Sequence, residues 1–506
     1  ALWIERGWKG IKGDLGSIMV EEISTGSDSD NELTVERELF TSRFFCLVEE
    51  MGVQLKRTAI SVNVRERLDF SCALLDSEGY LVANAPHIPV HLGALGLCVR
   101  ESIKLFPHLQ PGDIIITNHP AYGGSHLPDI TVIAPIFSDT NQIIGFLANR
   151  AHHAEIGGIL PGSMPAGSKN LLEEGVVISP RYLFRAGHSC MNEIAVLLSD
   201  SEFPSRQIKD NLADLSAQVA SLRQGLKEMK ILESEYTCDT LIVQMKNLHF
   251  DASTICEKFL CEWGNGFFST TQCLDDGEEL KLDLQIKDGH ATFDFSGTAS
   301  FRKDNLNATV AITQSAVCYC LRVLINKEIP LNEGLLKPVS IIIPQGSILS
   351  PTFSRIPCQC PGVAGGNVEV SQKLVDLILG AFDRVACSQG TMNNITFGNK
   401  SFSHYETVGG GSGAMIGSSG TSAVQVHMTN TAITDPEILE SRFPVRLVGF
   451  KIRKFSGGRG SWNGGDGIER IYIFEEKSNL SLLTQNRKCK PHGMDGGFSG
   501  QSGEQF

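Results

Sequence analysis

Apolar residues recur along this chain with two different periods, and the switches between them outline its elements. Residues 24–31 are small, polar and acidic, a linker composition. Thr34-Val-Glu-Arg-Glu-Leu-Phe40 then opens on a hydroxyl residue with acidic neighbours, and apolar positions follow at Phe44, Val48 and Met51. That spacing predicts a helix. Phe70-Ser-Cys-Ala-Leu-Leu75 and Tyr80-Leu-Val-Ala83, separated by the turn Asp76-Ser-Glu-Gly79, predict a hairpin with Asp69 at its mouth. A helix is expected over about 92–105, a buried strand over 114–117, and a single apolar, strand-like run over 130–148. From residue 205 to 231 the period changes. Ile208, Leu212, Leu215, Val219, Leu222, Leu226 and Met229 alternate spacings of four and three, a heptad seam. Such a helix either lies along its own domain, in a hairpin with 233–250, or makes a contact between subunits. Alternation resumes on both sides of Asp288-Gly289, which predicts a second hairpin.

The resulting fold class is mixed α/β (α+β) and multidomain, with mixed sheets and a long heptad-patterned helix. Residues 1–28 read as the tail of an upstream module plus linker, 29–265 as a domain with long helices, 266–350 as β-rich, and 351–506 as a Gly-rich α/β domain that stops short. A length of 506 residues with 42% apolar and 20% charged residues agrees with several cores. The net charge of -13, with no Lys/Arg run interleaved with aromatics, argues against nucleic acid as a partner.

The fourteen cysteines are scattered through apolar runs and read as reduced thiols of a cytoplasmic protein. The pairs Cys318/Cys320 and Cys358/Cys360 lack zinc-finger spacing. No apolar run approaches the ~18 residues that span a bilayer, so no membrane partner is expected. Gly162-Ser-Met-Pro-Ala-Gly-Ser-Lys169 nears a phosphate loop, but its Ser and Lys are in the wrong order and Pro165 interrupts it. ATP handling is therefore not expected within these residues.

Possible metal ligands concentrate in Asn118-His-Pro-Ala-Tyr-Gly-Gly-Ser-His-Leu-Pro-Asp129 and Ala151-His-His-Ala-Glu-Ile-Gly-Gly158. His126, Asp129 and one of His152/His153 offer a mixed nitrogen and oxygen set for a divalent ion. Asp69 is either a further ligand or general base, or the ion-pair partner of Arg65 or Arg67. His87 and His91, flanking Pro89, are either hydrogen-bonded core or loop histidines or ligands. Glu406, His427 and Asn430 adjoin Gly-rich turns, where they either hold substrate or make turn contacts.

These motifs, with Pro161-Gly-Ser-Met-Pro165, Leu172-Glu-Glu-Gly175, Asp294-Phe-Ser-Gly-Thr298, Tyr405-Glu-Thr-Val-Gly-Gly-Gly411, His427-Met-Thr-Asn430 and Gly464-Gly-Asp-Gly467, resemble the hydantoinase B/oxoprolinase family over roughly 33–506. The resemblance implies an ATP-driven opening of a cyclic amide, 5-oxoproline or a hydantoin. A hydantoinase-A-like half, fused or separate, would phosphorylate the carbonyl oxygen, and this half would hydrolyse the activated species. It carries a metal role (Mn, Zn or Mg) onto His126 and Asp129, with His152 taken as the third ligand and Asp69, His153 and Glu155 as catalytic or outward-bonding groups. His119 stands where many relatives carry Asp and 5-oxoprolinase-like members often carry His. Relatives in the acetone carboxylase branch imply a carboxylase subunit as the alternative, and a metal-stabilised structural partner is another. The family's habit of assembling implies a homo-oligomer.

Overall fold

The computed structural model describes residues 8–12, 18–22, 28–85, 88–327, 329 and 331–506, with side chains from Val35 onward. His87 lies outside them, as do residues 24–27 of the expected linker. The chain forms two compact units, Ala1–Arg43 and Phe44–Phe506. In the first, β1 (Trp8–Lys12) pairs antiparallel with β2 (Ile18–Glu22). Helix α1 (Asp28–Thr58) begins inside the acidic stretch expected as linker, ahead of the expected start at Thr34. Acidic residue types are favoured in the first turn of a helix, so an acidic stretch in sequence is compatible with a helix start as well as with a linker.

The second unit is organised on a seven-stranded sheet. After α2 (Val62–Arg65) come β3 (Phe70–Asp76), β4 (Leu81–Asn84), α3 (Ala94–Ile103), β5 (Ile114–Thr117), β6 (Asp129–Phe137), β7 (Ile143–His152), α4 (Leu171–Glu174), β8 (Arg181–Arg185) and β9 (His188–Ser189). The strands lie in the order β4-β3-β7-β6-β5-β8-β9, every pair antiparallel. The apolar run 130–148 is thus two strands. Its turn is short, with Ser138 N donating to Gln142 O at 2.8 Å and Asn141 at φ 65°, so apolar periodicity alone conceals it.

Because side chains alternate along each strand, the sheet has two distinct faces. Ala73, Leu75, Ile133, Phe146 and Ala148 pack with Leu95 and Val99 of α3 on one. After α5 (Met191–Ser199), α6 (Ile208–Glu235) covers the other, with Gln218 Nε2 donating to Ile130 O and Asn149 Oδ1. Its seam residues Leu215, Val219, Leu222 and Met229 are buried. The heptad pattern therefore records packing on the helix's own sheet.

A second core lies where α7 (Cys238–Trp263), α8 (Val310–Ile325) and α9 (Ser371–Ala381) meet the sheet β10 (Gly266–Cys273), β11 (Glu279–Lys287), β12 (His290–Asp294) and β13 (Val339–Ile342). The predicted hairpin is β11–β12, and β13 adds parallel to β12. The rest comprises the sheet β15-β14-β20 and the hairpins β16–β17 and β18–β19, with α10 (Pro436–Arg442) between them in sequence; here β14 is Asn394–Gly398, β15 Ser403–Thr407, β16 Gly410–Gly411, β17 Ser422–Val424, β18 Val445–Arg453, β19 Gly467–Phe474 and β20 Asn479–Leu483. The fold is mixed α/β with several sheets, the class expected. Among the described residues no helix is long and apolar enough to cross a membrane.

Candidate metal centre

Asp129 opens β6 and His152 closes β7, and the hairpin register sets them directly opposite each other. His126 precedes Asp129 by a tight turn in which Asp129 N donates to His126 O at 3.2 Å. Asp69, just ahead of β3, accepts from His152 N through its backbone oxygen at 3.0 Å. Hairpin and neighbour therefore deliver their ionisable side chains to one end of the sheet.

Ligand atoms of His126, Asp129 and His152 lie within 4.8 Å of one another, and all three residues are buried. His126 Nδ1 is 3.1 Å from Asp129 Oδ2, and His152 Nδ1 is 3.4 Å from Asp129 Oδ1 and 3.9 Å from Asp69 Oδ2. Both ring nitrogens of His126, Nε2 of His152 and Oδ1 of Asp129 lack a hydrogen-bond partner. Orphaned buried acceptors at this separation suit a divalent cation, since an unmet buried polar group otherwise costs about 1–3 kcal/mol. Burial alone would raise the Asp129 carboxyl, but His126 and His91 beside it hold it well below its ordinary value. Burial also depresses the His152 ring against the pull of Asp69, which keeps a nitrogen lone pair available.

The cavity at this point is about 20 Å³ and includes Asp69, His91 and Tyr405 in its lining. His91, with two readings open at the sequence level, joins the cluster: its Nε2 is 3.1 Å from Asp129 Oδ2 and its Nδ1 is 2.9 Å from Ser71 Oγ. Ser125 also donates to Asp129 Oδ2, which leaves Oδ1 for a ligand. Two further groups escape sequence reading. Tyr405 stacks on His152 with ring centroids 4.8 Å apart, and fully buried Arg67 lies over Tyr405 and donates to its carbonyl at 2.9 Å. Arg67 stands 3.9 Å from Asp69, so the ion pair considered from sequence and a place in the cavity are both realised.

Other expected site residues are placed elsewhere. His153 is directed to the opposite sheet face, where its Nε2 lies 3.1 Å from Gln218 Oε1 on α6. Adjacent strand residues point oppositely, so the doubled histidine cannot present both rings to one pocket. Glu155 is tied to Arg206 at 2.9 Å and accepts from Gly157 N and Gly162 N, a loop-fastening set of contacts. Glu406 points away from Tyr405's side and is locked by Arg470 at 2.6 Å and Tyr472 at 3.0 Å. His427 lies 3.4 Å from Asp376 on α9, and Asn430 is exposed. His119 Nδ1 accepts from Ala121 N, and burial lowers its ring to about 4. Cys318 and Cys320 are buried in α8, Cys358 is exposed, and all are free thiols.

Fold and pocket define a multi-sheet α/β protein with a buried cluster of imidazoles and carboxylates at the strand ends. The chain belongs to the hydantoinase B/oxoprolinase family, whose model matches residues 34–506. It is 45% identical to 5-oxoprolinase 1 of Arabidopsis thaliana over 93% of this chain and 39% of that protein. It is 44% identical to the 5-oxoprolinase of Saccharomyces cerevisiae over 95% and 40%. The chain thus spans about two fifths of the length of these curated relatives. A putative D-/L-hydantoinase subunit of Pseudomonas sp. is 26% identical over 90% of this chain and 80% of its own length. In fold, the chain is similar to an ATP-dependent caprolactamase from Pseudomonas jessenii, with TM-score 0.80, 22% identity and coverage of 88% and 79%. It is also similar to an acetone carboxylase, with TM-score 0.81, 18% identity and coverage of 95% and 67%.

Proposed function

We propose that this chain is the hydrolytic, metal-holding half of an ATP-dependent cyclic amide hydrolase that converts 5-oxo-L-proline to L-glutamate. The observation that carries this reading is the convergence of buried His126, Asp129 and His152, with orphaned nitrogen and oxygen atoms, on a small cavity of a chain 45% identical to a 5-oxoprolinase. These three would hold a divalent ion, which when bound lowers the pKa of water and polarises an activated carbonyl. Mn, Zn and Mg are the candidates.

Within the pocket, Asp69 is the carboxylate left to take a proton from water, because Asp129, which faces His91, His126 and His152, is itself one of the three proposed ligands. Arg67 at 3.9 Å steadies its charge, and the stacked Tyr405 fixes the His152 ring. Burial of the site keeps bulk water from an activated amide. No nucleotide-binding loop is present in the sequence, so ATP chemistry is assigned to a hydantoinase-A-like module, fused or separate. Fourteen free cysteines suit a reducing cytoplasm.

The test is glutamate release from 5-oxoproline and ATP by the assembled protein. His126→Ala and Asp129→Asn are expected to abolish turnover and bound metal, and this chain alone is expected to be inactive. If both variants kept wild-type turnover and lost only thermal stability, the catalytic reading would fail.

A further inference from the structure

One wall of the cavity comes from an element that the proposed chemistry leaves unused. Gly366–Val370 is a single π-helical turn leading into α9. Such turns gather at functional sites, the extra residue displacing side chains from regular helical positions. Here the turn brings Asn367 and Val368 to the cavity lining shared with His91, His126, Asp129 and His152. Its placement is tight: a Cβ on Gly366 would collide with the carbonyl oxygen of Asn307, and Gly366 N donates to Asn305 O at 3.0 Å.

Asn367 is only 3% exposed, and its Oδ1 has no hydrogen-bond partner. Apart from the ionisable side chains, Tyr405 and Asn367 itself, the cavity is lined by methionine, valine, isoleucine and threonine, and Met392 and Met428 are the most adaptable of these. A buried amide beside a metal-type ligand set, with an acceptor unmet by protein, fits a ligand that brings a donor.

We infer that Asn367 reads the ring nitrogen of a cyclic amide, its Oδ1 accepting the ring N–H while the carbonyl carbon faces His126, Asp129 and His152. This inference rests on the amide-hydrolase reading above and adds the source of its selectivity. A cavity of about 20 Å³ takes an ion or a water but not a ring, so admission of substrate requires give in the wall. Met392 and Met428 provide it, since unbranched thioethers repack easily. The consequence is preference for N–H lactams over N-alkylated ones, because a site built to pair an N–H rejects the analogue that lacks it.

The assembled protein should be assayed with 5-oxoproline and its N-methyl derivative, and binding of both to the metal-loaded protein followed by calorimetry. Wild type is expected to favour the N–H compound by about 100-fold or more in kcat/KM and in affinity. Asn367→Ala, which leaves room for the methyl group, should bring that ratio below about tenfold, by loss on the N–H compound, with metal content unchanged. Asn367→Asp keeps the acceptor and should keep the preference, which covers the case in which the Ala variant misfolds. Retention of the full preference in Asn367→Ala, or loss of metal from it, overturns the inference alone. If the assembled wild type opens no cyclic amide, the amide-hydrolase reading falls and this inference with it.

Discussion

His152 and His153 are neighbours in sequence with opposite surroundings, one stacked on Tyr405 beside Asp129 and the other bonded to Gln218 beneath α6. The sequence nominates the pair but does not decide between them, since that depends on the phase of β7 relative to β6, set by a turn that apolar spacing does not reveal. His91 is undecidable from sequence for a similar reason: its partners Ser71 and Asp129 are remote along the chain. By orienting Asp129, His91 should tune a bound ion without ligating it. His91→Phe is therefore expected to weaken metal affinity about 10–100-fold by titration calorimetry, whereas His153→Gln should leave it unchanged. Glu369 offers a pH test that does not touch the ligands. Burial pushes its carboxyl up to about 8, while Asn394 and Met392 donate to Oε1. The native state then holds a proton that the unfolded chain releases near the ordinary value of 4.5, so its contribution to stability falls as pH rises between about 4.5 and 8. Glu369→Gln should remove that decline: the melting temperature of the variant minus that of wild type should rise across this window, and a flat difference would refute the raised value.

At the scale of elements, β15 repeats the alternation that splits His152 from His153. Tyr405 meets the cavity, and Glu406 enters a separate buried pair with Arg470, both side chains nearly inaccessible. Proximity to a Gly-rich turn suggests a substrate contact for Glu406, but the partner that decides its role lies on β19, beyond any local pattern. Removing one member of such a pair strands the other charge. Glu406→Leu is expected to cost about 3–5 kcal/mol in denaturant unfolding, and joint replacement of Glu406 and Arg470 by apolar residues should recover much of that. If the single variant lost metal binding with stability intact, Glu406 would belong to the site after all. The π turn makes a different demand. Gly366→Ala would press a methyl group into the Asn307 backbone and is expected to destabilise by about 1–3 kcal/mol or more. The long helix is legible from its seam, while the identity of its partner is not: a heptad pattern reports an apolar stripe and is silent on whether a sheet of the same chain covers it.

Across the whole molecule, the pocket draws on both ends of the sequence. Asp69, His91, His126, Asp129 and His152 come from the seven-stranded sheet and its loops, and Asn367, Tyr405, Thr429 and Thr431 from beyond residue 360. Arg67 reinforces the junction by donating to Tyr405 O and Thr431 Oγ1, and Ala432 N donates to Arg67 O at 3.0 Å. The sequence marks the first half of the pocket through its His and Asp spacing, but the polar groups of the second half are Asn, Tyr and Thr, residue types that occur throughout any chain. A site assembled this way makes ligand binding a property of the joined halves. A metal that binds only the folded protein stabilises it by about 2.7 kcal/mol when present at 100 times its dissociation constant. Calorimetric melting of the chain should therefore give one transition for residues 44–506 that moves upward with added metal, and His152→Ala should remove the shift. Two transitions, with only one responsive to metal, would mean that the Tyr405 side of the pocket is not coupled to the ligands and that the stacking on His152 contributes little to holding them.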